Sequence, residues 1–350
     1  MKITEELSLI ESIRKLTELG TKTLVVTNSK NVLLGTLSDG DIRKAIIEGL
    51  SLEESISSIY NKKPSYILKK EFNKEKAFKL LLNNHFDLVP VIDDNKVISE
   101  IIFLDDLLIE ENQEINHIKD VEVVIMAGGL GSRLMPLTKD IPKPMIRIGE
   151  KSIIEIIIED FKKKGFLDFI ITLNYKSDII RSLLSDGKKL GVNIRYIEEN
   201  EPLGTGGSLS LIRDIDNSKN YIITNADLIT DIDYSRLVQY HVDNSSDITI
   251  CTKLHEVKIP YGVVIGNKAV EGIEEKPNKT FWINTGVYVL SPNVIKNLDY
   301  GKYLDMPDII SKLVHKDQGR VNIYPITGYW KDIGEISQLE EVRKHFVSKK

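Results

Sequence analysis

Cysteine is almost absent from this chain, which has one, Cys251, among 350 residues. A single cysteine excludes an internal disulfide and a cysteine-based zinc site. Long apolar runs are also missing, because no segment approaches the ~18 residues that a membrane-spanning helix needs. The N-terminal stretch "MKITEELSLIESIRKLTELG" lacks the continuous apolar core of a signal peptide. These absences predict a cytoplasmic protein that does not bind membranes.

An excess of positive charge is lacking too. The 47 lysines and arginines are outnumbered by 52 aspartates and glutamates, so the formal net charge is −5. A protein of this charge is not expected to bind a nucleic-acid backbone. With 41% hydrophobic residues the composition is ordinary for a globular protein, and a chain of 350 residues is long enough for about two domains.

The first third of the chain contains an internal repeat. "TLVVTNSKNVLLGTLSDGDI" aligns without a gap with "LVPVIDDNKVISEIIFLDDL", so that Val32 is equivalent to Val97. Each copy has the pattern of a strand, a polar turn, a second strand and an acidic residue that opens a helix, and an amphipathic helix precedes it. We therefore expect one pseudo-symmetric α/β domain over residues 1–117, with copies at about 1–60 and 61–117.

A change of pattern follows this repeat. The charged stretch "IEENQEINHIKD" has little apolar periodicity and is typical of a linker. Beyond it, apolar strands such as "VEVVIMA" and "FIITLN" alternate with helical segments such as "SIIEIIIEDFKKKG". Alternation of this kind predicts βαβ units and a parallel sheet, and strand-rich segments come later. We expect a second α/β domain over 118–350 with a mixed, mainly parallel sheet.

The stretch "MAGGLGSRLMPLTKDIPKPM" comes directly after the first apolar strand of this second domain. Glycines between a strand and a helix are the general form of a phosphate site, because backbone N–H groups and the helix dipole favour an anion. Arg133 and Lys143 add two cations that could hold a polyphosphate. The spacing matches neither the dinucleotide-binding fingerprint nor the P-loop. A glycine turn with surface charges is the structural alternative.

Two carboxylates are candidates for a metal site. Asp227 ends the predicted strand "YIITNAD", and the carboxyl ends of strands face the ligand crevice of an α/β sheet. Asp332 lies much later, in "WKDIG". Two carboxylates with phosphate oxygens and waters are a typical environment for Mg²⁺, with Mn²⁺ as an alternative. An aspartate after a strand can also serve only as a cap.

Taken together, these motifs resemble those of the sugar-1-phosphate nucleotidyltransferases, which join a nucleoside triphosphate to an aldose 1-phosphate and release pyrophosphate. Further similar blocks follow in the same order: "EPLGTGGSL", "TNAD", "YGVV", "EEKP", "NTGVYVL" and "WKDIG". The resemblance covers residues 121–350 and implies a Rossmann-like domain. The chain departs from the usual pattern at Ser132, where the family has threonine, and at Gly206, where it has alanine.

The resemblance also implies residue roles. Arg133 and Lys143 would be the catalytic cations, and Asp227 and Asp332 would bind the metal. The nucleotide-binding residues would be Ala127, Gly128, Gly129, Gly131, Ser132, Gly204 and Asp227. The residues that bind the sugar phosphate would be Gly262, Glu275, Lys276 and Asn284. In the implied reaction, a sugar-phosphate oxygen attacks the α-phosphorus in line, so no protein nucleophile is needed.

The N-terminal repeat resembles a pair of CBS domains, which are adenosine-nucleotide-binding modules. Their ribose commonly contacts a Ser or Thr and an Asp three residues later, a pair that the first copy has as Ser38 and Asp41. The second copy has Phe103 and Asp106, so its hydroxyl is missing. We expect one AMP or ATP site rather than two. The alternative is an assembly module without a ligand, and in either case a homodimer formed through the CBS pair is expected.

The two-part layout is similar to that of the sugar-phosphate guanylyltransferases of legionaminic acid pathways, which activate glucosamine 1-phosphate. The acidic residues Glu198, Glu199 and Glu201 weakly favour guanine, because its N1–H and N2–H₂ donors suit a carboxylate. UTP, dTTP and CTP remain alternatives to GTP, as do mannose and glucose 1-phosphate. A regulator with a degenerate transferase domain is another class. A glycosyltransferase would usually need an Asp-x-Asp site, whereas "TNADL" has one aspartate.

Overall fold

The structure is a computed structural model that describes residues 1–19, 21–84, 86–107, 120–129, 131–315 and 319–348. The chain divides into two compact units, residues 1–110 and 111–350. The predicted boundary between 117 and 118 lies outside the described residues, as does almost all of the predicted linker, so both stay predictions. No helix in the described ranges is long and apolar enough to cross a membrane.

The N-terminal unit contains two copies of one small α/β motif with a three-stranded sheet each. The first copy consists of β1 (Lys2–Ile3), α1 (Leu9–Leu19), β2 (Thr23–Thr27), β3 (Leu33–Ser38) and α2 (Asp39–Ile47). The second consists of β4 (Ile67–Leu68), α3 (Lys74–Asn84), β5 (Leu88–Ile92), β6 (Ile98–Phe103) and α4 (Leu104–Leu107). In both sheets the first two strands are parallel and the second and third are antiparallel.

The two copies pack around a local pseudo-twofold axis. Val32 and Val97, which are equivalent in the sequence alignment, pair with each other in an antiparallel bridge. The hydrogen bonds beside them are also equivalent, since Leu33 N donates to Lys96 O at 2.9 Å and Ile98 N donates to Asn31 O at 3.0 Å. Apolar residues of both copies form one buried cluster. Residues 1–110 thus contain two copies of one motif that pack against each other in one compact unit.

The residues predicted to hold a ribose in the first copy also begin a helix. The backbone N–H of Ser38 donates to Asp41 Oδ2 at 2.8 Å, and the backbone N–H of Asp41 donates to Ser38 Oγ at 3.1 Å. This reciprocal arrangement is a capping box at the start of α2. The pair therefore has a structural role in addition to the predicted one. The side chain of Asp106 lies outside the described residues, so the predicted difference between the copies stays a prediction.

The C-terminal unit is built on a seven-stranded sheet, as far as the described residues show. Its strands and those of three small two-stranded sheets are β7 (Val121–Met126), β8 (Arg147–Ile148), β9 (Lys151–Ser152), β10 (Asp168–Leu173), β11 (Asn193–Glu198), β12 (Asn220–Asn225), β13 (Leu228–Thr230), β14 (Ile248–Lys258), β15 (Val263–Gly266), β16 (Val270–Glu274), β17 (Asn278–Leu290), β18 (Val321–Ile326) and β19 (Trp330–Asp332). Its helices are α5 (Ile153–Lys163), α6 (Ser177–Leu184), α7 (Gly204–Gly207), α8 (Tyr234–Asp243), α9 (Pro292–Lys296), α10 (Met306–His315) and α11 (Ile336–Ser348).

The order of strands in the main sheet is β11-β10-β7-β12-β17-β14-β18. Only β17 runs antiparallel to its neighbours among these strands, so the sheet is mixed and mainly parallel, as predicted. The central strands β7, β10 and β12 are buried along almost their whole length, which explains their continuous apolar sequences. Their carboxyl ends lie at one edge of the sheet, where the glycine stretch and Asp227 follow.

Because the central sheet, its helices and every predicted transferase residue lie within 120–350, we expect this part of the chain to fold by itself. A truncated protein of residues 120–350 should show a cooperative thermal transition and the same transferase activity per mole as the full chain. Circular dichroism and a pyrophosphate-release assay on both proteins would test this. A truncated protein that is unfolded or aggregated would show that this unit depends on residues 1–119.

Candidate active site

A cavity of about 440 Å³ lies at the carboxyl ends of β7, β10 and β12. Its wall includes all nine residues predicted for the nucleotide and for catalysis: Ala127, Gly128, Gly129, Gly131, Ser132, Arg133, Lys143, Gly204 and Asp227. Gly334, two residues after Asp332, lies on the same wall. The structure thus brings together segments that are far apart in the sequence, at the edge of the sheet where ligands of α/β proteins usually bind.

Close approach explains two of the glycines in this wall. A Cβ at Gly128 would lie 2.9 Å from Glu199 Oε1. Gly131 has a left-handed backbone with φ of 64°, and a Cβ there would lie 3.0 Å from Lys143 Cβ. Side chains at these positions would force the neighbouring groups apart. The glycines therefore let the loop after β7 pack directly against the residues that line the cavity.

The glycines are not followed directly by an α-helix, which differs from the general form of a phosphate site. Residues Ser132–Leu134 form a single 3₁₀ turn, and the first α-helix after β7 is α5, which begins at Ile153. Pro136 and Pro142 explain this, because proline lacks the N–H that a helix needs and its ring clashes with the preceding turn. The dipole of a long helix is thus not available to an anion here. The positive charge comes from Arg133 and Lys143 instead.

Three charged groups converge beside this loop. Lys143 Nζ forms an ion pair with Asp227 Oδ2 and lies 3.9 Å from Asp332 Oδ1. The two aspartates meet because β13 pairs with β19 with Leu228 opposite Asp332, and because Ile333 N donates to Asp227 O at 3.0 Å. The Lys143 side chain is only 12% exposed, so its ammonium group is largely shielded from solvent.

The electrostatics of this cluster suit a divalent cation. Burial and the charge of Asp227 raise the pKa of Asp332, and the neighbouring Lys143 and Arg133 partly offset this effect. Asp227 Oδ1 and Asp332 Oδ1 are both buried without a hydrogen-bond partner. No group of three or more His, Cys, Asp or Glu residues forms a metal site in the part of the chain described. Two carboxylates with unpartnered oxygens fit Mg²⁺, which takes its remaining ligands from phosphate and water.

The loop that contains Gly204 is held by a segment about a hundred residues later. Asp305 Oδ1 accepts hydrogen bonds from Thr205 N at 2.8 Å and from Thr205 Oγ1 at 3.1 Å. Leu304 O accepts from both Gly206 N and Gly207 N at 2.8 Å. These contacts occupy three of the four N–H groups of α7, so this glycine cluster does not offer those three to a phosphate. It shapes one end of the cavity.

Sequence reasoning missed Asp305, although it lies on the cavity wall. It also missed Thr172 and Asn225, which lie on the wall too. Both lie at the ends of central strands, so the rule that selected Asp227 would have found them. No comparable signal marks Asp305, since its part in the site depends on a loop that is distant in the sequence.

Glu199 is the acidic residue of its cluster that faces the cavity. Its Oε2 accepts a hydrogen bond from Leu203 N at 3.1 Å, and burial raises the pKa of its carboxyl group. Glu198 instead forms an exposed ion pair with Arg181 at 3.0 Å, and Glu201 is exposed. One carboxylate of the predicted acidic cluster is therefore placed to contact a ligand.

The residues predicted for the sugar phosphate do not line this cavity. Glu275 and Gly262 are in contact, because a Cβ at Gly262 would lie 2.9 Å from Glu275 Oε2. Lys276 is next to them, with its N–H donating to Tyr261 O at 3.2 Å and its Nζ 3.9 Å from Glu275 Oε1. Asn284 is a residue of β17, and its Nδ2 donates to the hydroxyl of Tyr288 at 2.6 Å. Their role in binding sugar phosphate stays a prediction.

Comparison with known proteins is consistent with this geometry. The model of a family described as nucleotidyl transferase matches residues 122–349, and that of the CBS domain matches residues 1–48. The mannose-1-phosphate guanyltransferase of Yarrowia lipolytica is 31% identical over 220 residues, which cover 61% of this chain and 60% of that protein. The mannose-1-phosphate guanylyltransferase catalytic subunit beta of Drosophila melanogaster is 32% identical over 222 residues, covering 61% and 59%.

Among solved structures, that of HddC from Yersinia pseudotuberculosis complexed with GMP-PN is similar, with a TM-score of 0.51 and 30% identity. The match covers 64% of this chain and 99% of that one. By contrast, this chain spans about three fifths of the length of the curated relatives named above. These comparisons confirm the expected fold of the C-terminal domain and the CBS resemblance of the first copy.

The contacts of Asp305 predict that it positions the loop around Thr205. Replacing Asp305 by alanine should weaken binding of a nucleoside triphosphate about tenfold, because two hydrogen bonds are lost and a typical intramolecular hydrogen bond contributes about 0.5–1.5 kcal/mol. Calorimetry on the ligand-binding step would measure this. Asp299→Ala is the matched control, since Asp299 is exposed and pairs with Lys302 at 3.2 Å. Equal affinity in wild type and Asp305→Ala would refute the positioning role.

Proposed function

We propose, on the premise that this chain belongs to the nucleotidyl transferase family, that it transfers a nucleotidyl group from a nucleoside triphosphate to an aldose 1-phosphate and releases pyrophosphate. The observation that carries this proposal is the convergence of Arg133, Lys143, Asp227 and Asp332 beside one cavity at the sheet edge. Two cations and two carboxylates in that place suit a reaction between two phosphate-bearing substrates.

The chemistry asks the protein mainly to position and neutralise its substrates. An oxygen of the sugar phosphate attacks the α-phosphorus, the bond to the β-phosphate oxygen breaks, and pyrophosphate leaves. Arg133 and Lys143 reduce repulsion between the anions and stabilise charge as it spreads in the transition state. Asp227 and Asp332 would hold a divalent cation, which supplies further positive charge to the phosphates.

Cys251 is not a candidate nucleophile, because burial raises the pKa of its thiol and it lies within β14.

We propose GTP as the nucleotide. Glu199 supports this choice, because its carboxylate faces the cavity and could accept from both N1–H and N2–H₂ of guanine. The names of the relatives point in the same direction, as does the GMP-PN bound to HddC.

For the acceptor, the two-part layout favours glucosamine 1-phosphate and the relatives favour mannose 1-phosphate. Pyrophosphate release measured for GTP, UTP, dTTP and CTP against a panel of aldose 1-phosphates tests both choices.

For the N-terminal unit we propose an adenosine nucleotide as ligand of the first copy. The support is the CBS match over residues 1–48 and the half-buried pair Ser38 and Asp41. Asp41 Oδ2 is already an acceptor for Ser38, so a ribose would have to share this carboxylate. The homodimer expected through the CBS pair stays a prediction.

The proposed role of Glu199 predicts a change of base preference. Glu199→Gln should lower kcat/KM for GTP at least tenfold, since an amide can accept from guanine only through its oxygen. Activity with UTP or dTTP should fall less, because these bases also present acceptors to the amide N–H₂. Glu201→Gln is the matched control, as Glu201 is exposed and off the wall. The assignment is wrong if both variants keep the wild-type order of nucleotides.

The proposed metal site predicts a dependence on divalent cation. Activity should disappear with chelator and return with Mg²⁺ or Mn²⁺. Asp227→Asn and Asp332→Asn should each raise the Mg²⁺ concentration for half-maximal activity roughly tenfold or more, because each removes a formal charge from the site. Asp140→Asn, at an exposed position in the same part of the chain as Lys143, should leave it unchanged. Transfer that persists without metal would contradict the assignment of both aspartates.

A further inference from the structure

The Lys143 ammonium group occupies the region where the two candidate metal ligands face each other. It forms an ion pair with Asp227 Oδ2 and lies 3.9 Å from Asp332 Oδ1. The second oxygen of Asp227 and the nearer oxygen of Asp332 are buried and lack hydrogen-bond partners. Lys143 is thus the main positive charge that compensates this pair of partly buried carboxylates.

A lysine in this position and a divalent cation are competitors. Both are attracted by the same two carboxylates, and a cation bound to these oxygens would repel an ammonium group within about 4 Å. Lys143 is also a candidate ligand of the triphosphate, since it lies on the cavity wall. The same side chain is therefore within the reach of two sets of partners, the two carboxylates and a triphosphate in the cavity.

The location of Lys143 permits such an exchange of partners without movement of the backbone. Its Cβ is so close to the glycine loop that a Cβ at Gly131 would be 3.0 Å away. The side chain starts beside the candidate phosphate loop, and its flexible four-carbon stem carries the ammonium group to Asp227. A rotation of this stem would return the charge to the loop.

We propose that Lys143 is the resident counter-ion of Asp227 and Asp332, and that it leaves these carboxylates when the nucleotide brings its metal. This inference rests on the proposed function, because the triphosphate is the new partner of Lys143. It follows that the ligand-free protein binds a divalent cation weakly. It also follows that the nucleotide and the metal enter together, since the phosphate attracts Lys143 away from the metal ligands.

Arg133 offers a matched comparison within the same site. It is near enough to Asp332 to influence the pKa of that carboxyl group. Yet no ion pair joins Arg133 to Asp227 or Asp332 among the residues the structure describes. Loss of Arg133 removes one nearby positive charge without vacating the space between the carboxylates. Comparison of a Lys143 variant with an Arg133 variant therefore separates direct competition for the carboxylates from the longer-range effect of a nearby positive charge.

The test is Mn²⁺ binding to the full chain without nucleotide, measured by the electron paramagnetic resonance signal of free Mn²⁺. Lys143→Met should bind Mn²⁺ at least tenfold more tightly than wild type, because the competing cation is gone. Arg133→Met should change the affinity less than about threefold, as its charge acts at longer range. The double variant Lys143→Met with Asp227→Asn should lose the increase in Mn²⁺ affinity that Lys143→Met alone produces.

Thermal unfolding provides a second measurement. Removing Lys143 leaves two partly buried carboxylates without their cation, so Lys143→Met should melt at a lower temperature than wild type in chelator. Mn²⁺ should raise this melting temperature more than it raises that of wild type, because a ligand that binds only the folded state stabilises it. Lys143→Gln, which keeps a polar side chain, serves as the second variant if Lys143→Met is poorly folded. It should also melt at a lower temperature than wild type in chelator and gain more from Mn²⁺.

Two results would overturn the inference. One is a Lys143→Met or Lys143→Gln protein that binds Mn²⁺ no more tightly than wild type. The other is an Arg133→Met protein that gains as much affinity as the lysine variant. Neither result affects the proposed function, which is tested separately by wild-type pyrophosphate release. A wild type without transferase activity would overturn the function, and the Mn²⁺ measurement would still decide whether Lys143 is the counter-ion.

Discussion

The ion pair between Lys143 and Asp227, with Asp332 beside it, is the interaction on which this site depends. Three segments have to meet for it to form: the chain after the glycine loop, the end of β12 and the end of β19. The pairing of β13 with β19 brings the two carboxylates together, and the prolines after Arg133 keep the intervening chain out of a helix. Because these charges are partly buried, their desolvation destabilises the folded protein unless opposite charges compensate one another.

The rest of the C-terminal unit serves to hold this cluster at a sheet edge. Buried central strands end together, so their following residues face one cavity. Asp305 and Leu304 fix the loop around Thr205 from a distant part of the chain, and this loop forms part of the cavity wall. Glu199 adds a carboxylate to the lining of this cavity, which also includes Arg133 and Lys143.

Local patterns were enough to predict much of this arrangement. The repeat in the first third, the alternation of strands and helices, and Asp227 after its strand all correspond to the structure. Asp332 required resemblance to a family, because its contact with Asp227 depends on a strand pairing that no local pattern reveals. Asp305 gave no signal for the same reason. In the acidic cluster, the sequence could not show which carboxylate faces the cavity, since Glu198 is neutralised by Arg181 and Glu201 is exposed.

The most direct test of the central claim follows the α-phosphate of GTP. The full chain is incubated with [α-³²P]GTP, Mg²⁺ and each aldose 1-phosphate of a panel, and the products are separated. The account predicts that the label moves into a nucleotide sugar with release of one pyrophosphate, and only when an acceptor sugar phosphate is present. Label found only in GDP or GMP, with every acceptor, would contradict it.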